Sequence, residues 1–463
     1  MKEKGLIAGM NAAAGRRDFL KGAAFLGGAA AVAPAFASTG GKPLLKIAVM
    51  SDLQGHAYAE DAGMRNLERA LDIFAPLKPD VVVSAGDMND TGKEADAVAW
   101  FKARCDARLG KLPHVACIGN HELGFVPNRL KAQRTSEVCR RDFCAVFGDR
   151  PELVLRKTIG GYDFISLSLE DPARYHEKEL QMLKRELDAA VARDSSRPIF
   201  VVSHYHPYGT VNDSYTRLRE GGLREILNGY PQVVSLSGHT HNPLQDPRSI
   251  WQGEFTAIET STLCYGCINN NPPAVNQISS LLPYGHEALG CIFIEVYGER
   301  MVVRRFSVRS RSEIEPENPW VVDFPYDPSK ARYAFAPRAA KERTAGLTAG
   351  CEPTVWYDFG FIYLMWDAPE RPETVFGYRV ELAGQDGSAK SYFLQSDFYR
   401  LAAHRQSRVV FKAPPHSLEP GGSYRCRVVP VGFFGTEGRA VEWSFTVLDG
   451  YKCKTEPPNF VQE

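Results

Sequence analysis

Two imidazoles flank a single threonine in the stretch GHTH at residues 238–241, directly after the apolar run PQVVSLS. Imidazole is a common ligand of zinc, copper and iron, so His239 and His241 could bind metal ions. A His-x-His pair also arises by chance, and alone it predicts little. Its meaning depends on the residues that end the other apolar runs of the chain.

Four other strand-like apolar runs end in the same way. The runs LLKIAVM, PDVVVSA, LPHVACI and RPIFVV lead into SDLQ, GDMND, GNHE and SHYHP. One such ending is an ordinary turn, because Asp and Asn favour turns. Five endings that offer oxygen and imidazole donors are hard to explain as turns. Two carboxylates, Asp52 and Asp87, brought together with imidazoles in a drying site would need a cation. Mixed nitrogen and oxygen ligands fit zinc, iron or manganese.

The elements that must position these residues alternate along the chain. Helical patterns lie around residues 61–75 and 93–110, between the apolar runs. Strands that alternate with helices predict an α/β architecture with buried strands. In such sheets functional groups gather beyond the carboxyl ends of the strands. A glycine before the ligand, as at Gly86 and Gly119, lets the backbone turn tightly there.

The five endings together resemble the five blocks of the calcineurin-like metallophosphoesterases, in the family's order, over roughly residues 45–310. The resemblance implies an α/β four-layer sandwich, in which two mixed β-sheets pack together and helices flank them. It also implies a centre of two divalent or trivalent metal ions. One ion would be held by Asp52, Gln54 and His241 and the second by Asn120, His204 and His239, with Asp87 bridging the two.

The same resemblance makes His121 the catalytic residue: it would not bind metal, but would protonate the leaving oxygen or steady the phosphoryl oxygens. Two cations about 3.5–4 Å apart would lower the pKa of a bridging water, and the hydroxide would attack phosphorus in line. General-acid help from His121 would be worth about 10²–10⁴-fold. A serine nucleophile is the other route, but Ser51, Ser203 and Ser237 each precede a ligand position and suit turn hydrogen bonds.

Two blocks leave alternatives open. Many relatives have Asp-x-His in the first block, whereas this chain has Asp-x-Gln at residues 52–54. An amide oxygen is a neutral, harder donor than imidazole, which leaves the identity of the first metal open. His56 is a substitute ligand or a nearby histidine outside the ligand set. In the fourth block His204 and His206 compete, and His204 is favoured because it directly follows the strand.

Substrate-binding residues remain unassigned. Residues that could line the cleft, or merely form turns and packing, are Tyr205, Tyr208, Asn242 and the CINNNPP loop at 267–273. His114 precedes its strand and is expected to lie away from the metals. Glu259 is expected in a later strand of the same domain, with no assigned role.

The first 37 residues resemble a twin-arginine export signal. Arg16 and Arg17 precede a Gly- and Ala-rich apolar run that ends in Ala-Phe-Ala at residues 35–37, a small-residue cleavage pattern. A retained membrane anchor is the alternative, but the run at 22–33 is shorter than the roughly 20 apolar residues that span a bilayer. No later stretch is long enough either. We therefore expect a periplasmic or secreted protein.

Charge and cysteine content narrow the partners. Lys and Arg together number 55, and Asp and Glu together also number 55, so the formal net charge is zero. This gives no case for nucleic acid or an anionic membrane as the main partner.

The ten cysteines all follow residue 37, and their even number is compatible with disulfides outside the cytoplasm. The close pairs are Cys139 with Cys144 and Cys264 with Cys267. A zinc ribbon is less favoured than disulfides or free thiols, because the pairs are far apart in the chain.

A separate all-β sandwich is predicted at residues 346–450, after a linker at 311–345 and before a tail at 451–463. The runs FIYLMWDAP, FGYRVEL and SYRCRVVPVGFFGTEG resemble strands of a fibronectin type III-like domain. Trp366 suits its core tryptophan and Tyr424 its tyrosine corner. Any other β-sandwich is the alternative, and bracing or docking is the expected role. The phosphoesterase-like domain would span residues 38–310.

The sequence therefore predicts an exported phosphoric ester hydrolase that acts on a phosphorylated small molecule or envelope substrate. The alternative is a non-catalytic envelope-binding or adhesion protein on the same fold. The full ligand set favours the enzyme, since a degenerate domain has no reason to keep paired ligands. The choice among monoesterase, diesterase and pyrophosphatase depends on the shape of the cleft and stays open.

Overall fold

The computed structural model describes residues 41–55, 61–90, 95–124, 135–212, 220–268, 280–348, 351, 353–358, 361–414 and 417–449. The expected export signal at 1–37, His56, most of the CINNNPP loop and the tail at 451–463 lie outside these residues. Within the described residues, no helix is long and apolar enough to cross a membrane.

A mixed β-sheet forms one half of the amino-terminal domain. Its strands are β1 (Leu45–Met50), β2 (Val81–Ser84), β3 (His114–Ala116), β12 (Gly290–Val296), β13 (Arg300–Ser307), β14 (Ser312–Ile314) and β15 (Trp320–Asp323). Their order is β14-β13-β12-β1-β2-β3, and β15 also pairs with β13. The strands β1, β2 and β3 run parallel, whereas β12 pairs with β1 antiparallel.

A second mixed sheet packs against the first. It contains β4 (Val154–Ile159), β5 (Tyr162–Leu167), β6 (Ile199–Ser203), β7 (Val233–Ser237), β8 (Ile250–Gln252) and β9 (Thr256–Glu259), in the order β4-β5-β6-β7-β9-β8. The neighbours β5, β6, β7 and β9 are parallel, so their carboxyl ends share one edge. A short antiparallel pair, β10 (Cys267–Ile268) and β11 (Ser280–Leu281), lies outside both sheets.

Helices cover the outer faces of the two sheets. They are α1 (Ala62–Phe74), α2 (Ala95–Leu109), α3 (Ser136–Phe147), α4 (Glu177–Arg193), α5 (Leu223–Leu227) and α6 (Phe335–Lys341). Alternate strand residues face opposite ways: Ile47 and Val49 of β1 pack between the sheets, while Ala48 and Met50 pack against helices. The predicted four-layer α/β sandwich is therefore confirmed.

The segment 311–345, expected to be a linker, instead contributes to the first sheet. In β14 Glu313 pairs with Phe306 of β13, and in β15 Trp320 pairs with Val303. The charged composition misled the prediction because these are edge strands, where ion pairs such as that of Arg304 with Glu313, at 2.7 Å, are common. Residues 335–341 of the same segment form α6.

The carboxy-terminal part is an all-β sandwich, as predicted. One sheet contains β16 (Thr354–Asp358), β17 (Phe361–Asp367) and β20 (Arg408–Lys412); the other contains β18 (Gly377–Gly384), β19 (Ala389–Gln395), β21 (Ser423–Val431) and β22 (Val441–Thr446). Trp366 is buried in the core, 5.5 Å from the ring of Tyr378. The phenol oxygen of Tyr424 accepts the backbone N–H of Glu419 at 2.7 Å, which is the contact expected of a tyrosine corner.

The described cysteines form no disulfide with one another, and Cys453 lies outside the described residues. Cys139 and Cys144 are buried in α3, while Cys264 and Cys267 are partly exposed. Neither close pair is joined by a disulfide. Of the alternatives raised by the sequence, the structure has thiols and not disulfides at both pairs.

The buried residue His114 should make the stability of the protein depend on pH. Its ring centre lies 6.4 Å from that of Phe101 and 5.5 Å from that of Phe147. Burial, aided by the charge of Lys102, lowers its pKa from 6.5 to about 4. Between pH 6.5 and pH 4, His114 is therefore protonated in the unfolded chain and neutral in the folded chain. We expect His114 to cost the folded state about 3 kcal/mol as the pH falls from 6.5 to 4.

The variant His114→Phe lacks this proton uptake. Its free energy of unfolding by urea should fall less than that of the wild type between pH 7 and pH 4.5. Equal losses in the two proteins would contradict the assignment, and comparing the two cancels the contribution of all other titrating groups.

Candidate metal centre

The predicted ligands of the second metal converge at the carboxyl ends of β2, β3, β6 and β7. One ligand atom from each of Asp87, His204 and His239 lies within 4.8 Å of the other two. The Nε2 atom of His204 is 3.1 Å from Asp87 Oδ2 and 2.9 Å from Asn120 Oδ1. Asp87 and His204 are almost completely buried. These four side chains therefore enclose one position that a cation could occupy.

The predicted ligands of the first metal form an adjoining group after β1 and β7. His241 Nε2 is 3.1 Å from Asp52 Oδ1 and 3.4 Å from the amide nitrogen of Gln54. The Asp52 carboxylate also accepts the backbone N–H of His239, at 3.0 and 3.1 Å. Asp52 thereby joins the two groups, so all seven predicted ligands form one connected cluster. The space that their donor atoms face is called the hollow below.

The tautomers of two histidines test whether this hollow suits a metal ion. Nδ1 of His204 lies 2.8 Å from the carbonyl oxygen of Ala85, and Nδ1 of His241 lies 2.9 Å from that of Tyr265. A carbonyl only accepts, so each Nδ1 carries hydrogen and each Nε2 faces the hollow. In neutral imidazole, Nε2 then presents a lone pair to a carboxylate oxygen 3.1 Å away. Two acceptors at this distance need either a proton or a metal ion between them, so the donor set fits a metal ion that displaces the proton.

The protonation equilibria follow the same electrostatics. Burial lowers the pKa of His204, but the neighbouring Asp87 carboxylate outweighs it and raises the pKa to about 9. Burial raises the pKa of Asp87, yet the imidazoles of His204 and His121 hold it well below its usual range. The hollow therefore favours ionised carboxylates beside positive charge. Protons and metal ions would compete for the same nitrogens.

Five of the seven candidate ligands have backbone φ angles in the left-handed region. They are Asp52 (52°), Gln54 (44°), Asp87 (53°), His239 (74°) and His241 (56°). Such conformations cost about 1–3 kcal/mol each in non-glycine residues and cluster at functional sites. The packing around them leaves no room for side chains at two glycines: a Cβ at Gly119 would lie 2.8 Å from the Asp87 nitrogen, and one at Gly238 would clash with the Asp52 carboxylate.

His121 lies beside the candidate ligands, with its side chain 11% exposed. Its Nδ1 is 2.5 Å from the carbonyl oxygen of Asp90, so Nε2 faces the hollow, 3.8 Å from Asp87 Oδ2. Burial lowers the pKa of His121, but the charge of Asp87 and the bonds to Asp90 raise it to about 10. A protonated His121 can therefore present an N–H to a bound substrate at neutral pH.

His206, the alternative in the fourth block, has other partners. Its Nε2 is 2.6 Å from Glu259 Oε2 and 3.2 Å from Thr240 Oγ1, and Thr240 donates to the same carboxylate oxygen at 2.6 Å. This buried network holds Thr240, which lies between His239 and His241. Glu259, left without a role by the sequence, therefore supports the loop that carries two candidate ligands.

The residues suggested for the cleft have mainly packing roles. Tyr205 donates to the carbonyl of Pro172 at 2.5 Å, and its ring lies 4.6 Å from that of His239. Asn242 is buried and donates to the carbonyl of Asn212 at 2.8 Å. The backbone carbonyl of Tyr208 accepts a hydrogen bond from Arg224 at 2.8 Å. Cys267, where the CINNNPP loop begins, donates its N–H to the His241 carbonyl.

Two supporting residues were missed in the sequence. The ring of Tyr265 lies 4.4 Å from that of His241. Glu122, the last residue of the GNHE block, is buried and accepts four backbone N–H groups: those of Asp87 at 2.9 Å, Met88 at 2.6 Å, Asn89 at 3.2 Å and Gly119 at 2.7 Å. Its position directly after His121 was the available signal. Tyr265 has no comparable signal in the sequence.

We expect Glu122→Gln to lower metal affinity about 10–100-fold, the usual effect of losing a group that orients ligands. In this variant a side-chain NH₂ group would replace one carboxylate oxygen of Glu122. Because NH₂ cannot accept hydrogen bonds, two of the four backbone N–H groups would lose their acceptor. Competition with a chelator measures the affinity. Glu220→Gln is the matched control, because Glu220 is also buried and accepts backbone N–H groups, of Gly222 and Arg224. Equal affinities in the two variants would contradict the role of Glu122.

Residues 45–243 match the calcineurin-like phosphoesterase family. The matched segment contains all five blocks and every residue of the hollow, from Asp52 to His241. No curated protein matches this chain.

Solved structures resemble parts of this chain. Purple acid phosphatase PPD1 from yellow lupin (Lupinus luteus) seeds is 12% identical, with a TM-score of 0.44, over 60% of this chain and 53% of that chain. This chain thus spans about half the length of the lupin protein. The protein TT1561 of Thermus thermophilus is 12% identical, with a TM-score of 0.33, over 58% of this chain and 97% of that one. The third fibronectin III domain of the human KIAA0343 protein is 17% identical, with a TM-score of 0.18, over 26% and 91%.

Proposed function

We propose that this protein is an exported, metal-dependent hydrolase of phosphoric esters. The observation that carries the proposal is the pair of imidazole Nε2 atoms, of His204 and His241, each aimed at a buried carboxylate oxygen 3.1 Å away. Such an arrangement concentrates nitrogen and oxygen donors where a cation would lie. Two metal ions held there would supply positive charge for phosphoryl oxygens and would lower the pKa of a water molecule.

The protein's own residues divide the remaining work. In this proposal Asp52, Gln54 and His241 hold one ion, while Asn120, His204 and His239 hold the other, and Asp87 is shared. His121 remains outside the ligand set. With Nδ1 bonded to the carbonyl of Asp90, its Nε2–H points into the hollow, where it can donate a proton to the departing ester oxygen.

Export remains part of the proposal on sequence grounds alone. The adjacent Arg16 and Arg17, the Gly- and Ala-rich run and the Ala-Phe-Ala ending support a twin-arginine signal. Cell fractionation of the full chain, compared with a variant in which both arginines are Lys, tests it. Retention of the wild type in the cytoplasm would remove export from the proposal without affecting the hydrolase.

The hydrolase is tested with p-nitrophenyl phosphate and bis(p-nitrophenyl) phosphate. The protein is stripped with a chelator and reloaded separately with zinc, manganese or ferrous iron, and bound metal is measured before each assay. We expect turnover that requires metal and stops when it is removed. If metal-loaded protein hydrolyses neither these esters nor a broad panel of phosphate esters, the non-catalytic binding protein becomes the better description.

A further inference from the structure

A second pocket lies where the sandwich meets the phosphoesterase domain. Its volume is about 460 Å³. Tyr284, between β11 and β12, forms one wall, and the sandwich contributes the others, including Tyr378 and three arginines: Arg400, Arg405 and Arg408. We call it the arginine pocket. Its size is in the range of small-ligand sites, which are about 300–1,000 Å³.

The walls of the arginine pocket are held together by buried contacts between the two domains. One apolar cluster contains residues of both: Ile268, Leu282, Ala288, Phe376, Tyr399 and Phe433. The Tyr399 hydroxyl donates to Asp246 at 2.6 Å, and the Leu401 N–H donates to Glu287 at 2.9 Å. The pocket is therefore preformed.

The pocket carries excess positive charge. Among the described residues that line it, three are arginines and one, Asp397, is a carboxylate. Asp397 is 3.8 Å from Arg400, beyond hydrogen-bond distance. Arg408 has a carboxylate neighbour of its own, Asp367, at 3.4 Å. Arg405 is therefore the least compensated of the three, because Arg400 has long contacts with two carboxylates, Asp397 and, at 3.7 Å, Glu287.

Arg405 is exposed at the pocket but held in place by backbone carbonyls. It donates to Phe398 at 2.7 Å and to Arg400 at 3.3 Å. Within the described residues, no carboxylate forms an ion pair with Arg405. Its guanidinium is thus held by neutral carbonyls, while the carboxylates of Glu373 and Asp397 act on it only from a distance. A positioned guanidinium is the side chain that best matches phosphate-type oxyanions.

Arg400 adds a second under-used group. Its guanidinium lies 3.9 Å from the centre of the Tyr284 ring, and its side chain is 16% exposed. The buried Nε atom has no hydrogen-bond partner among the described residues. The nearest Glu287 oxygen is 3.7 Å away. A buried donor without a partner costs free energy, and the guanidinium that carries it lines the pocket.

The wall of the arginine pocket is hydrogen-bonded to the segment that flanks the candidate metal centre. Gly266 donates its N–H to the carbonyl of Gly285, next to Tyr284, and accepts from Leu282. Gly266 follows Tyr265, whose ring contacts His241 at 4.4 Å. The wall of the pocket and the flank of the metal centre are therefore connected by two backbone hydrogen bonds.

We propose that the arginine pocket binds a phosphate-type oxyanion, held by the guanidinium groups of Arg405 and Arg400. A ligand with several such groups gains most, because the pocket carries more than one positive charge. The site is distinct from the metal centre and does not depend on the protein being a hydrolase.

Titration calorimetry of the full chain with inorganic tripolyphosphate tests this site, after chelator treatment that removes metal. We expect Arg405→Gln to weaken binding about tenfold, the loss of one charge-assisted hydrogen bond. Arg425→Gln is the matched control: Arg425 lies on the same sandwich, with its side chain 65% exposed and 3.6 Å from Glu442. It should bind like the wild type. Melting temperatures verify that both variants fold.

Two outcomes would overturn the proposal. One is the absence of binding to the wild type; the other is equal weakening by both substitutions, which would indicate general attraction to a basic surface. Because no turnover is measured, failure of the hydrolase proposal would not change this result. Competition by inorganic phosphate and by sulfate then separates recognition of phosphate from recognition of any oxyanion, and both results support the site.

Discussion

Replacement of Asp87 by Asn is expected to remove bound metal and to lower kcat/KM for phosphate esters by about 10³-fold or more. Asp87 is 1% exposed, and its Oδ2 is 3.1 Å from Nε2 of His204. A carboxylate oxygen of Asp87 and one ring nitrogen each of His204 and His239 all lie within 4.8 Å of one another. The amide of Asn removes the negative charge that a cation needs there. Metal analysis of the purified variant and steady-state kinetics measure the two effects.

The control for this substitution is Asp163→Asn. Asp163 is also 1% exposed, but it lies in β5 and pairs with Arg193 at 2.9 Å. Loss of that pair should lower the melting temperature and leave the metal content per folded protein unchanged. Full metal content in Asp87→Asn would exclude Asp87 as a ligand, whatever the activity.

The second large effect is expected for His121→Ala, which should lower kcat about 10²–10⁴-fold with the metal content unchanged. His121 Nε2 faces the hollow because Nδ1 is engaged by the Asp90 carbonyl. If His121 protonates the leaving oxygen, the loss should be larger for phenyl phosphate than for p-nitrophenyl phosphate, because p-nitrophenolate leaves readily without a proton. Equal losses for both esters would favour the alternative role of steadying the phosphoryl oxygens.

The proposed role of His121 as an acid also predicts the direction in which kcat depends on pH. The charge of Asp87 and the bonds to Asp90, which outweigh burial, raise the pKa of His121 to about 10. The protonated form is the active one, so kcat of the metal-loaded enzyme should fall as pH rises and His121 loses its proton, and His121→Ala should lack that fall. His176→Ala is the control, since His176 is partly exposed and bonds Asp171 at 3.0 Å. A profile shared by all three proteins would exclude His121 as its source.

The fold could be predicted where local patterns decide it. Alternation of apolar runs with helical patterns predicted the two sheets and their helices, and short strands with Trp366 and Tyr424 predicted the sandwich. The expected linker at 311–345 was wrong for a physical reason: β14 and β15 are short edge strands, which tolerate charge and gain their pairing from β13. Composition does not distinguish such strands from a connector.

The sequence by itself determined which donors this protein can offer and at which strand ends they occur, because turn-forming residues after apolar runs are local features. The tertiary structure decided how those donors face one another. Asp52 and His239 are 187 positions apart and meet through packing of the two sheets. The histidine tautomers, the left-handed ligands, the support from Glu122 and Glu259 and the arginine pocket all depend on such distant contacts. These contacts leave no periodic pattern in the sequence from which they could be predicted.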